Sequence, residues 1–166
     1  MPQGFISIGS NINRDSNIAS SLTALRNAFG DLTCSSVYES AAVGFEGEAF
    51  YNMVVSFDSA LSAQDVADLL RKIEAEHGRT RECRKFSSRT LDLDLILYGN
   101  QIINEDRLQI PRNEIERYAF VLEPLAEISP NLKHPVTGES YADLWRNFNK
   151  TDLQQIKVNT RWESAK

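Results

Sequence analysis

Two cysteines, Cys34 and Cys83, and two histidines, His77 and His134, are all the thiol and imidazole that 166 residues supply. Two histidines exclude a multi-histidine zinc centre, and neither stands in a recognisable Ser-His-Asp motif. Two thiols without a secretory signal read as reduced small hydrophobes rather than as a disulfide. The opening Met-Pro-Gln-Gly-Phe-Ile lacks the basic-then-apolar pattern of a signal peptide. No uncharged apolar run approaches the ~20 residues of a membrane-spanning helix, so a cytoplasmic protein with no membrane partner is expected. Only 8 Gly and 5 Pro accompany 42 % hydrophobic and 25 % charged residues, which excludes collagenous and disordered chains. Neither Gly-x-x-x-x-Gly-Lys-Ser/Thr nor Gly-x-Gly-x-x-Gly occurs, so no P-loop or dinucleotide fingerprint is present to cradle phosphates. The net charge of -5 disfavours a general nucleic-acid binder, and none is expected as a partner.

What is present reads as one domain, without repeats or linkers. Phe5 to Ile8 is β-type, with turn residues Gly9-Ser10-Asn11 behind it. From Asp15, read as an N-cap, apolar residues recur at helical spacing from Ile18 to Phe29 and stop at Gly30. Leu32 to Tyr38 and Tyr51 to Phe57 are strand-like, separated by a loop over Glu39 to Phe50. A second helix starts at Ser62 with Asp65 three residues on, and ends before Gly78. Leu91 to Tyr98 alternates and then becomes wholly apolar, as a central strand does, closing at Gly99-Asn100. A hairpin over Ile102 to Ile110, a helical turn over Val121 to Ile128 and a helix over Tyr141 to Phe148 follow. Residues 1–150 are read as the domain, and 151–166 as a polar tail or an edge strand of it. The order strand, helix, strand, strand, helix, strand is that of an α+β, ferredoxin-like split βαβ fold (βαββαβ), with helices on one face of an antiparallel sheet.

In Leu91-Asp92-Leu93-Asp94-Leu95, the two-residue period of a strand turns both carboxylates to one face and the leucines to the other. At ~3.3 Å per residue the two Asp Cα atoms lie about 6.6 Å apart, within reach of one Mg²⁺ or a pair of ions. A merely solvated acidic face accounts for the pair equally well. Directly upstream, Arg79, Arg81, Arg84, Lys85 and Arg89 put five cations in eleven residues. Guanidinium forks facing a carboxylate pair suit a nucleoside triphosphate, whose oxygens a metal bridges and arginines neutralise. A solvated charge run, or a small nucleic-acid patch around Phe86, are the other readings of the loop.

Over about residues 4 to 145 the chain resembles the 6-hydroxymethyl-7,8-dihydropterin pyrophosphokinase family. The resemblance rests on Ile8-Gly9-Ser10-Asn11, Ser35-Ser36-Val37-Tyr38, Tyr51-Asn52, and Ile73-Glu74 ahead of Gly78-Arg79-Thr80-Arg81. Above all it rests on Arg89-Thr-Leu-Asp92-Leu-Asp94-Leu-Ile, followed by Tyr98-Gly99-Asn100, Arg107-Leu108 and Pro111. It implies a ferredoxin-like monomer that moves pyrophosphate from ATP to a pterin hydroxymethyl group and releases AMP, using Mg²⁺ as a pair of ions. Position by position, it implies that Asp92 and Asp94 are the magnesium ligands and that Arg79, Arg81 and Arg89 face the polyphosphate. Arg79, Arg89, Asp92 and Asp94 are thereby the catalytic set. Leu95, Leu108 and Arg112 join the arginines against ATP. Ser40, Val43, Asn52 and Phe120 bind the pterin, Asn52 by its edge and Phe120 by stacking on its ring, and Glu74 supports the arginine loop.

The departures from the family pattern cluster in the site. Arg112-Asn113 stands where the family has His followed by Pro or Tyr, and Tyr118 where it has Arg, with Arg117 one position early. Phe86-Ser-Ser-Arg89 replaces Trp-Gly-Pro-Arg, Ser40-Ala41 replaces Thr-Pro, and Arg71 replaces Gln. These leave open a paralogue that binds pterin or nucleotide with little or no catalysis, or an enzyme for a different pterin alcohol.

Overall fold

The computed structural model describes residues 1–40, 49–77, 91–151, 153 and 155–158. In chain order the elements are β1 (Gln3–Ser10), α1 (Arg14–Phe29), β2 (Thr33–Cys34), β3 (Val37–Ser40), β4 (Phe50–Asp58), α2 (Ala63–Glu76) and β5 (Asp92–Tyr98). There follow β6 (Ile103–Glu105), β7 (Leu108–Ile110), α3 (Glu114–Arg117), α4 (Ala119–Ile128), α5 (Tyr141–Arg146) and β8 (Gln155–Val158). The main sheet runs β5-β1-β4-β3-β8, with β2 also on β4, and all its pairings are antiparallel. With β2 and β3 taken as one interrupted strand, this is the ferredoxin-like βαββαβ plan. β6 and β7 form a separate hairpin. No described helix is long and apolar enough to cross a membrane.

Helices cover both faces of the sheet, where one face was expected. Ile18, Leu22 and Leu25 of α1 and Val66, Leu70 and Ile73 of α2 pack with Ile6, Ile8, Met53, Leu93 and Leu95. On the opposite face, Val121, Leu122 and Leu125 of α4 and Tyr141 of α5 pack with Phe5, Val54, Ile96 and Leu97. The second layer comes from the short helices after β7, whose lengths carry too little helical periodicity to show which face they cover.

β5 is an edge strand of the described sheet rather than a central one. Its apolar run reflects cover on both faces, not neighbours on both sides. The pairing with β1 slips between Phe5 and Ile6: Phe5 meets Leu97 and Ile6 meets Leu95, so Ile96 is an extra residue. A bulge of this kind reverses the alternation. Leu93 and Leu95 lie with α1 and α2, whereas Leu97 lies with α4.

The strand expected over Leu32 to Tyr38 is split. At Ser35 the N–H bonds Val54 O at 2.9 Å, but it is the Ser35 hydroxyl that accepts the Val54 N–H, also at 2.9 Å, in place of a backbone carbonyl. α2 starts as expected, the Ser62 hydroxyl accepting the Asp65 N–H at 3.1 Å. α1 does not begin with Asp15 as cap: Asn13 precedes it at φ 45°, in the left-handed region that Asn tolerates, and Asp15 falls in the first turn. Beyond residue 150, Gln155–Val158 pair with the sheet as β8, antiparallel to β3.

Candidate active site

Register sets the site. Gly9 of β1 lies opposite Asp92 on one side and Asn52 on the other, and Ser7 lies opposite Asp94 and Val54. Cross-strand partners share a face, so Asp92, Gly9 and Asn52 form one row and Asp94 and Ser7 the next. Val54 assigns this face to the α4 side. Gly9 is the low point of its row: a Cβ there would sit 3.0 Å from Asn52 Oδ1. Asn52 is buried and donates through Nδ2 to Ser40 Oγ at 2.9 Å, which joins two of the expected pterin residues.

Asp92, Asp94, Leu95, Leu108 and Arg112 line one cavity of about 160 Å³ beside β5, the edge of the described sheet, so five residues expected at the metal and nucleotide converge. Glu74 of α2 joins them, 7 % exposed, and its Oε2 accepts the Leu93 N–H at 2.7 Å, occupying an edge donor of β5. Its expected support of the arginine loop lies outside the described residues, as do the expected roles of Val43, Arg79, Arg81 and Arg89. Arg71 and Arg107 stand at the junction with a wider cleft of about 480 Å³. Arg71 Nη2 donates to Arg107 O at 3.3 Å.

Charge is unevenly balanced in the cavity. Burial above all, and then the neighbouring Asp92, push the Asp94 carboxyl up to about 7, while Arg112 pulls it down. Arg112 donates through Nε to Glu114 Oε2 at 2.5 Å, and its backbone N–H bonds the carbonyl of the bulge residue Ile96 at 3.0 Å. Burial opposes the charged guanidinium, but the Glu114 bond and the Asp94 charge outweigh it and raise the Arg112 pKa. Glu114 was not anticipated from sequence; the Arg-x-Glu spacing was the signal available.

Phe120 is half-buried at the start of α4 and is not among the residues lining this cavity. Its ring stacks on Tyr118, centroids 5.0 Å apart at 20°. Arg117, one position before the place of the family arginine, lies over the exposed Tyr118 ring with its guanidinium carbon 5.8 Å from the centroid. Among the described residues no three His, Cys, Asp or Glu side chains cluster tightly enough to hold a metal alone. An acid pair can hold a hard cation that takes its remaining oxygens from a ligand or water.

A ferredoxin-like sheet with an acid pair and an arginine at one edge of its described strands has the outline of a phosphoryl-type transferase. The family model for 7,8-dihydro-6-hydroxymethylpterin-pyrophosphokinase (HPPK) matches residues 5–130, and the chain belongs to that family. The 2-amino-4-hydroxy-6-hydroxymethyldihydropteridine pyrophosphokinase of Haemophilus influenzae is 36 % identical over 163 residues, covering 96 % of this chain and 99 % of that protein. Its Bacillus subtilis namesake is 36 % identical over 138 residues, covering 81 % and 82 % of the respective chains. Among solved structures, an HPPK-DHPS in complex with substrates superposes with a TM-score of 0.72 at 11 % identity over 91 % of this chain. Plasmodium falciparum HPPK-DHPS superposes with a TM-score of 0.74 at 11 % identity over 96 % of it. The chain spans 44 % and 48 % of those two longer chains.

Proposed function

We propose that this protein transfers the terminal pyrophosphate of ATP to 6-hydroxymethyl-7,8-dihydropterin, releasing AMP, in folate biosynthesis. The observation that carries this is the convergence of Asp92, Asp94 and Arg112 on one cavity in a chain of this family. The pterin hydroxyl oxygen bonds the β-phosphorus of ATP as the bond from that phosphorus to the α,β-bridging oxygen breaks. AMP leaves with the electron pair, and the hydroxyl proton is released.

The chain's own residues hold the two substrates in line. Asn52, braced by Ser40, presents its amide to the pterin edge, and Phe120 stacks on the ring. Val43 is assigned to pterin binding on the family pattern alone. Leu95 and Leu108 wall the nucleotide, and Arg112 with Arg79, Arg81 and Arg89 meets the polyphosphate. Asp92 and Asp94 fit Mg²⁺: they are half-buried and adjacent on one face, and the Asp94 carboxyl, pushed up to about 7, marks a pair in need of positive charge. Mg²⁺ commonly takes one or two protein carboxylates and completes its shell with phosphate oxygens and water. When bound, as a pair of ions in this scheme, it neutralises charge on the transferring group. The same reading carries the expectation of a cytoplasmic monomer acting on small molecules, residues 1–150 forming one domain to which 151–166 belong.

The test is AMP release from purified protein with ATP, Mg²⁺ and the dihydropterin, each omitted in turn. AMP that forms only with all three supports the assignment. Binding of an ATP analogue or of the pterin without AMP would replace it with a non-catalytic paralogue or another acceptor alcohol.

A further inference from the structure

Arg112 is pinned twice. Its backbone bonds the bulge carbonyl of Ile96, and its side chain bonds Glu114 at 2.5 Å. Glu114 is itself held in place, because it opens α3 beside Ile115, which is fully buried. The arginine therefore borders the acid pair by construction, lining the same cavity as Asp92 and Asp94. Its interaction with Asp94 is felt from both sides: each group shifts the other toward its charged form. A guanidinium does not deprotonate under ordinary conditions, so it cannot give way to an incoming cation by losing charge. It can only be outcompeted, or drawn onto another anion. Glu114 occupies Nε, and a guanidinium carries two amino groups besides, the number needed for a forked contact with phosphate oxygens.

We propose that Arg112, positioned by Glu114, is a resident counter-ion of the Asp92–Asp94 pair that weakens divalent-cation binding in the free protein. A nucleoside triphosphate relieves this by taking the guanidinium onto its own oxygens. Cation and triphosphate then bind with positive coupling, and the strength of that coupling is set by Arg112 and Glu114. Glu114 is a positioning residue: it shares the arginine's charge and keeps it from settling wholly on Asp94. The proposal rests on the assignment of Asp92 and Asp94 as cation ligands.

The test is Mn²⁺ binding followed by electron paramagnetic resonance, with and without α,β-methylene-ATP, at low ionic strength. Arg112→Gln is expected to bind Mn²⁺ without nucleotide about tenfold more tightly than the parent, and to lose a similar factor of the nucleotide-dependent enhancement. Arg112→Lys, which keeps the charge, is expected to stay within about threefold of the parent. Glu114→Gln should move the other way, with weaker nucleotide-free binding, because the arginine is no longer shared. Unchanged nucleotide-free binding in Arg112→Gln with a parental melting transition overturns the proposal, as does Arg112→Lys behaving like Arg112→Gln. If Arg112→Gln does not fold, Glu114→Gln decides alone, and parental binding there overturns the proposal. Asp94→Asn separates the two levels. Parental Mn²⁺ binding in that variant with nucleotide present would remove the cation-ligand assignment itself. Lost binding there, beside unchanged Arg112→Gln, removes only the counter-ion.

Discussion

Glu74 of α2 and Leu93 of β5 are joined by a buried bond, the Glu74 carboxylate accepting the Leu93 N–H at 2.7 Å between the two aspartates of the site. It fastens β5 to α2. Glu74→Ala leaves that amide without this acceptor, which typically costs about 1–3 kcal/mol. Glu74→Gln keeps an acceptor and should lose less. Thermal unfolding of the two variants ranks them, and equal melting temperatures would refute the clamp.

Gly9 controls the height of the row that holds Asn52. Because an added Cβ would stand 3.0 Å from Asn52 Oδ1, Gly9→Ala should displace that amide by a few tenths of an ångström. The expected result is a several-fold rise in KM for the pterin with KM for ATP little changed, read by steady-state AMP formation. Parallel rises in both would point to general distortion of β1.

Tyr118 backs Phe120, with ring centroids 5.0 Å apart. Aromatic pairs of this geometry contribute about 0.5–1.5 kcal/mol beyond area burial. On the proposed pterin stacking, Tyr118→Ala leaves the Phe120 ring to be ordered on binding, at a cost of up to that amount. Pterin affinity should then weaken by at most about tenfold with nucleotide affinity unchanged, measured by calorimetry with each ligand separately.

Asp94→Asn should reduce turnover by about 10²-fold or more, the usual scale for losing a group that organises transition-state charge. In chelator the same variant should melt higher than the parent, because it removes a carboxyl that burial and Asp92 disfavour as an anion. Loss of activity with a lowered melting temperature would instead make Asp94 a structural residue.

His134 makes stability pH-dependent. Its buried ring accepts the Val136 and Thr137 N–H groups at Nδ1, at 3.1 and 3.3 Å, which a proton on Nδ1 would forbid. Nε2 lies 3.2 Å from Glu116 Oε1 without the alignment of a hydrogen bond. Burial lowers its pKa below the ordinary 6.5, against the pull of Glu116 and Glu139. The unfolded chain then binds the proton more readily, so stability should fall as the pH drops below about 6.5. His134→Asn, which retains an acceptor, should flatten melting temperature against pH between about 5 and 7. An unchanged slope would exclude His134 as the cause.

Some of this was legible because it is local. The alternation Leu-Asp-Leu-Asp-Leu requires only the two-residue period of a strand to place two acids on one face, and the Ser62 cap needs only a hydroxyl and an amide one turn apart. The left-handed Asn13 and the break at Ser35 escaped because a residue that tolerates unusual backbone does not announce that it adopts it. The bulge at Ile96 escaped for a related reason: an unbroken apolar run conceals the position at which its faces exchange.

By itself the sequence determined the order of the elements, the shared face of Asp92 and Asp94 and the family to which the chain belongs. These depend on dihedral periodicity and on motif residues close together in the chain. Only the tertiary structure decided that β5 is an edge of the described sheet, that Gly9 lies between Asp92 and Asn52, and that Arg112, held by its near neighbour Glu114, lines the same cavity as Asp94. Those relations arise from strand register and from helices packed on opposite faces, and contacts across tens of residues leave no period in the chain.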